Sequence, residues 1–265
     1  MDRAGRVKKH RTTGHRGVDT LRAMPSSPAP GGRGRRPVDR PPITPTGIVD
    51  AALRLTETDG LDAWSTRQLA AALEVWPRAV YHHVGDRDAV ADAVADRVVS
   101  MIPLPPQELA WREWFSTLLL EGRPLLRRYR GVARRLVRIG PIIPSALTMM
   151  DRGILVLQQA GFAGGATAAY RYLTNSAFTL VMVEDDRAEN LPEARVRLAG
   201  ALAAHRDDPE RRGLAAVGAA VTSRGTDDPE AIAALEDDFY AYTVERSLDG
   251  VAAVLGRPDR GGLPG

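Results

Sequence analysis

With 265 residues, 44% of them apolar and 26% charged, the chain is long enough for one large domain or two small ones with a real core. It has no cysteine, which excludes disulfides, thiolate metal sites and cysteine nucleophiles. No apolar run approaches the roughly 18 residues of a membrane span, Ala177 to Val183 being one of the longer stretches. The first 30 residues hold no hydrophobic segment, so no secretory leader is expected and the cytoplasm is the expected location.

The charge is unevenly spread. Residues 1–43 carry 11 Lys/Arg against three acids, a net +8, whereas 44–100 carry a net −4 and the remainder −1. The first segment, rich in Arg, Gly and Pro, cannot bury enough apolar surface to offset its chain entropy, so a disordered basic arm is expected over 1–43. Pro25 to Pro28 reads as a linker within it, and Met24 is a second candidate start. Such an arm suits nucleic acid as well as it suits solvent.

From Thr44 the pattern is helical almost without interruption and no period-two strand is found, which predicts an all-α chain. Thr44 followed by Pro45 is a cap with proline at the first helical position. Ile48, Ala52 and Leu55 line one face of that helix, and Asp59-Gly60 ends it. Ser65 with Gln68 three residues later forms a capping-box pattern for a second helix, whose apolar face is Leu69, Ala70 and Leu73. A turn at Glu74-Val75-Trp76 leads to Pro77 and a short helix ending at Val84-Gly85. Asp86 caps a fourth helix that reaches Ser100, and Pro103, Pro105 and Pro106 break the chain. Two short helices joined by a three-to-four-residue turn have helix-turn-helix geometry, the second helix being the one that enters the DNA major groove. Val80 and Val84 are expected to face Leu69 and Leu73, which turns Pro77, Arg78, Tyr81 and His82 outward. Arginine is the usual reader of guanine, and tyrosine and histidine reach phosphates or thymine methyls.

Ile48 to Ala52, Thr56 to Leu61, Ser65 to Leu73 and Ala79 to Val84 followed by Arg87 together resemble the tetracycline-repressor (TetR) family of bacterial transcription regulators. The Tyr81-His82-His83-Val84 segment is similar to the signature that ends the family's recognition helix. The resemblance implies that Ser65 and Thr66 contact phosphate and that Arg67 reaches a base. Pro77, Arg78 and Ala79 then set specificity, Tyr81 and His83 contact the DNA backbone, and His82 is the variable position between them. Arg87 stands where the family holds a phosphate with lysine. Two residues depart from the pattern. Glu74 replaces the usual turn glycine and is expected in a left-handed conformation at about 1 kcal/mol, and Trp76 replaces a small polar cap and is expected either to face the DNA or to pack on Arg78. Since the module itself is acidic, Arg33, Arg35, Arg36 and Arg40 of the arm are expected to supply positive charge in the minor groove.

Beyond Gln107, helical patterns are expected to break at Gly122-Arg123-Pro124, Gly140-Pro141, Gly161 and Asn190-Leu191-Pro192. Trp111, Trp114, Phe115, Leu118 and Leu119 form one apolar face, and seven arginines between 123 and 138 are expected to make ion pairs around a core stripe. The stretch from Ala110 to Glu184, including Gln159 to Phe162, resembles the ligand-binding region of the tetracycline-repressor branch. That likeness implies a homodimer whose interface helices are sought in Gly165–Glu184 and Pro229–Leu255. In the latter, Ile232, Leu235, Phe239 and Tyr242 give way to Val244, Leu248, Val251 and Leu255. Residues 205–228 read as a mobile loop or partly disordered link. A ligand pocket between these helices is expected to draw on Met149, Met150, Leu157, Arg171, Asn175, Phe178 and Met182.

The expected organisation is therefore a basic arm over 1–43, a helix-turn-helix domain with connector helix over 44–100, a ligand-binding and dimerisation bundle over 101–256 and a disordered tail over 257–265. The expected function is repression, by a homodimer on a palindromic double-stranded operator, released when a small apolar effector moves the connector helix. A constitutive DNA binder and a protein-binding helix-turn-helix are the rival readings. No enzyme, cofactor or metal site is expected. Of the five histidines, His10 and His15 lie in the arm, His205 stands alone, and His82 and His83 diverge by about 100° on one helix.

Overall fold

The computed structural model describes residues 43–190, 192–223 and 229–254, and these form eleven α-helices with no strand among them. The arm before Ile43, with its four arginines, the tail over 257–265, Leu191 and Leu255 lie outside the described residues, as do the surroundings of the Ile232 side chain.

Helix α1 (Pro45–Asp59) begins as the cap residues dictate, with the Thr44 hydroxyl accepting the Gly47 N–H at 3.1 Å. It buries Ile48, Ala51, Ala52 and Thr56 and ends at Gly60, φ +94°. Helix α2 (Thr66–Ala72) carries the full capping box, Ser65 Oγ accepting from Gln68 N while Gln68 Oε1 accepts from Ser65 N. Helix α3 (Pro77–His83) starts at proline without a side-chain cap, as Trp76 cannot supply one. Helix α4 (Arg87–Ser100) is capped by Asp86 through Ala89 N at 2.8 Å. Val90, Ala91, Val94, Ala95, Val98 and Val99 are all buried on α4, because it packs on α1 along one side and on the rest of the molecule along the other.

Glu74 takes φ +55°, the one non-glycine residue with positive φ among those described. A side chain in that region costs about 1 kcal/mol relative to glycine. Glu74→Gly is therefore expected to stabilise the protein by up to about 1 kcal/mol in urea unfolding; a destabilised variant would show that interactions of the Glu74 side chain outweigh the strain.

Helix α5 (Trp111–Arg128) corrects one sequence expectation, since it runs through Gly122-Arg123-Pro124 without a break. Proline removes one backbone donor there, but Trp114, Phe115, Leu118, Leu119 and Leu126 hold the helix on both sides of it. Gly122 serves close packing, a Cβ there lying 3.3 Å from Ile102. Helices α6 (Val132–Ile139) and α7 (Pro144–Leu157) are separated at Gly140-Pro141 as expected. The chain then turns at Gly161, φ +95°, into the long α8 (Ala166–Asn190). α8 is the centre of the bundle, touching α5, α6, α7 and α11 (Pro229–Ala252).

The mobile loop or partly disordered link expected over 205–228 is corrected over 205–223, while 224–228 lie outside the described residues. α9 (Pro192–Ala203) is followed by a turn held by Asp208, whose Oδ1 accepts from Glu210 N and Arg211 N, and then by α10 (Arg212–Ser223). The two helices cross where Gly218 leaves no room for a Cβ, which would fall 2.5 Å from Leu202 O. The flanking Asp, Pro and Gly residues are turn and contact devices around a real helix. In α11 the apolar pattern divides between faces: Tyr240, Val244, Leu248 and Val251 enter the core, while Phe239 and Tyr242 are exposed.

Candidate DNA interface and effector cavity

The α2–α3 pair presents one face outward. Val80 is fully buried under α3, with Leu69 buried and Leu73 and Val84 partly buried around it. A residue at the next positions must then point the other way, and Arg78, Tyr81, His82 and His83 are exposed. Trp76 is 84% exposed at the leading end of α3, clear of the core. Pro77 and Ala79 sit half-buried between these outward groups, and Ser65, Thr66 and Arg67 mark the start of α2, with Arg67 exposed. The Ser65 hydroxyl donates to Gln68 Oε1 at 2.8 Å, so it meets a phosphate only by giving up that bond.

Arg87 differs from the phosphate-facing role inferred from its position. Its guanidinium turns inward, Nη2 donating to Leu61 O at 2.5 Å and Nε to Trp64 O at 3.4 Å, while the ion lies 4.7 Å above the Trp64 ring. A planar cation stacked on a buried indole is held by both charge and shape. Arg87 thus pins the start of α4 to the turn between α1 and α2.

The α1–α3 head is fastened to the bundle by the arginines that the sequence presented as a run. Leu61 N donates to Arg130 O at 2.8 Å, a backbone bond across the two parts. Arg128 pairs with Glu57 at 2.7 Å, and Arg134 pairs with both Asp62 and Asp186. Arg135, on α6, reaches Asp92 at 2.7 Å and the Asp88 carbonyl at 3.0 Å on α4. Deeper, Asp185 is 1% exposed and accepts from Gly131 N at 3.1 Å, with Arg127 Nη1 3.6 Å away. Burial pushes its carboxyl up to about 6, against the opposing pull of Gly131 N–H and Arg127.

Between α4, α6, α7 and α8 lies a cavity of about 280 Å³. Its walls include Met149, Met150, Arg171, Asn175 and Phe178, five of the seven residues expected to line a pocket. The other two are elsewhere: Leu157 is fully buried in the core and Met182 is half-buried on α8 away from the cavity. Thr167, Tyr170 and Thr174 also line it, and a signal for them existed, since they continue the three-to-four spacing of Arg171, Asn175 and Phe178 along α8. Val99, Leu136, Val137 and Ala146 come from three other helices, and only tertiary packing brings them in. Among the described residues no group of three or more His, Asp or Glu is placed to hold a metal, and no single helix is long and apolar enough to cross a membrane.

A buried-backed recognition helix at the end of an all-α bundle defines a helix-turn-helix protein. Residues 48–94 match the model of the bacterial regulatory proteins, tetR family. The class A tetracycline repressor of transposon 1721 from Escherichia coli is 30% identical over 149 residues, covering 55% of this chain and 68% of that protein. An HTH-type transcriptional regulator of Saccharopolyspora erythraea is 31% identical over 140 residues, covering 49% of this chain and 59% of the relative. The crystal structure of the TetR-family protein ActR of Streptomyces coelicolor in complex with (S)-DNPA superposes with a TM-score of 0.64 at 22% identity, over 82% of this chain and 100% of that one, a likeness of fold. The chain belongs to the TetR family of transcriptional regulators.

Proposed function

We propose that the protein is a homodimeric repressor that reads a palindromic operator with α3 and is released by a small, largely apolar effector bound in the α4–α8 cavity. The observation that carries this reading is the course of α4. One end of that helix is pinned beside the recognition pair by Arg87, and near its other end Val99 forms part of the cavity wall. A ligand pressing on Val99, or on α6 and its Arg135 link to α4, has a direct path to the recognition helix. A hundredfold loss of operator affinity requires only about 2.7 kcal/mol of differential binding between the two arrangements.

On this reading Arg78 and Arg67 read bases, Trp76, Pro77 and Ala79 shape the leading end of α3, and Thr66, Ser65, Tyr81, His82 and His83 meet the backbone or flanking bases. The exposed Phe239 and Tyr242 on α11, with Tyr172 on α8, support self-association through these helices, as apolar faces left open in one copy are covered by a second. Two α3 helices so paired would read half-sites about 34 Å apart.

Selection of bound sequences from a random DNA pool tests the whole reading and should return a palindrome. Arg78→Ala should then cost about 1–3 kcal/mol on that operator and relax one base position in each half-site, with little change on random DNA. Enrichment of a single half-site would remove the dimer, and enrichment of nothing would remove operator recognition.

A further inference from the structure

We propose that the effector is a largely apolar monoanion whose acidic group is held at the cavity mouth by Arg171 with Asn175, while the Tyr170 hydroxyl donates to a second oxygen deeper in. This deepens, and rests on, the reading of the cavity as the effector site.

The argument begins with unmatched donors. Arg171 is the one charged residue among the fourteen that line the cavity. Arg123, Arg127, Arg128, Arg130, Arg134 and Arg135 are each paired with carboxylates. Arg171 makes neither an ion pair nor a hydrogen bond among the described residues. Arg171 and Asn175 are both exposed, one helical turn apart, so they mark the solvent-facing end of the cavity, where an anion keeps part of its hydration.

Tyr170 supplies a second, independent observation. It is 5% exposed, lines the same cavity, and its hydroxyl has no partner among the described residues. The hydroxyl is not sealed in the core but opens onto the cavity, where a bound group can complete it. The ring cannot easily turn away. A Cβ on Gly153 would lie 2.8 Å from it, and Phe115 meets it edge-on at 6.2 Å. Thr174, the neighbouring hydroxyl, spends its own proton on Tyr170 O at 2.8 Å and forms no bond with the phenol. Burial also keeps the phenol protonated, hence a donor.

The remaining walls decide the rest of the chemistry. Leu136, Val137, Ala146, Met149 and Phe178 favour an apolar body, and the methionines adapt to its shape. A dianion would bring a second charge with no second cation on the walls to meet it, and a cationic ligand would face Arg171 with no carboxylate in the lining.

The test uses two fluorescent probes of one skeleton, anilinonaphthalene sulfonate and the uncharged N-phenylnaphthylamine, titrated into the full-length protein. The sulfonate should bind at least about tenfold more tightly, the scale of one charge-assisted contact. Arg171→Gln should abolish that preference while leaving the uncharged probe's affinity and the melting curve unchanged, and Arg171→Lys should restore part of it. Equal affinities in the wild type, or a preference that survives Arg171→Gln, would overturn the anion assignment and leave the cavity reading standing. Failure of both probes to bind would overturn the cavity reading and the assignment with it.

Discussion

Trp64→Ala is expected to lower stability by about 3–5 kcal/mol, the usual cost of emptying a buried tryptophan site. The residue is 2% exposed and its Nε1–H donates to Thr56 Oγ1 at 2.9 Å. Thr56 is itself fully buried and its hydroxyl donates to Ala52 O at 2.8 Å, so the indole closes a short chain of bonds inside α1. The same ring is the platform beneath the Arg87 guanidinium. Removing it empties the space between α1 and α2 and unseats the start of α4 in one step. Thermal unfolding should fall by on the order of 10 °C, and operator binding should weaken on every sequence alike, since the whole reading surface loosens. Trp64→Phe keeps most of the apolar body and loses the N–H, so its cost should be nearer 1–2 kcal/mol. An unchanged melting temperature in Trp64→Ala would refute the role of this residue as the keystone of the head.

The second large effect is electrostatic and depends on pH. The Asp185 carboxyl is raised from 3.8 to about 6 in the folded protein. Between those values the folded state holds a proton that the unfolded chain has released, so this group makes stability fall as pH rises through the window from 4 to 6. The loss is complete above that window and amounts to about 2–3 kcal/mol at neutral pH. Asp185→Asn keeps an acceptor for Gly131 N and removes the charge, while Arg127 retains Glu184 at 3.4 Å and Glu236 at 4.0 Å. The variant should therefore match the wild type near pH 4 and exceed it near pH 7, in urea unfolding at a series of pH values. A difference between the two that does not change with pH would mean that Asp185 ionises as an ordinary carboxylate.

Much of the head was legible because its signals are local. The Thr44, Ser65 and Asp86 caps, Pro45 and Pro77 at first helical positions, and Gly60 and Gly85 at helix ends each act within four residues. Even the left-handed Glu74 followed from its place in the turn. The bundle was less legible because its decisive facts are not local. Pro124 is a breaker by every near-neighbour rule, and α5 passes through it because Phe115, Leu118 and Leu126 are clamped by distant helices. Residues 212–223 were hidden by flanking turn residues whose purpose is to let α10 cross α9 at Gly218. Half of the cavity was visible as a stripe on α8, while Val99 and Leu136 were invisible until α4 and α6 were placed. Arg87 was legible as a residue at the start of α4, but the direction of its side chain depends on Trp64, 23 residues away.

The bond between Leu61 N and Arg130 O has a mechanical meaning. A body fastened at one point can swing in any direction; fastened at two, it turns about the line that joins them. The head is attached through α4 and, separately, along one edge, where this backbone bond is joined by the Arg128–Glu57 and Arg134–Asp62 pairs and where a Cβ on Gly131 would come 3.1 Å from that of Leu61. On the proposed reading, a push on α4 would turn the head about that edge and carry α3 along an arc set by the fold.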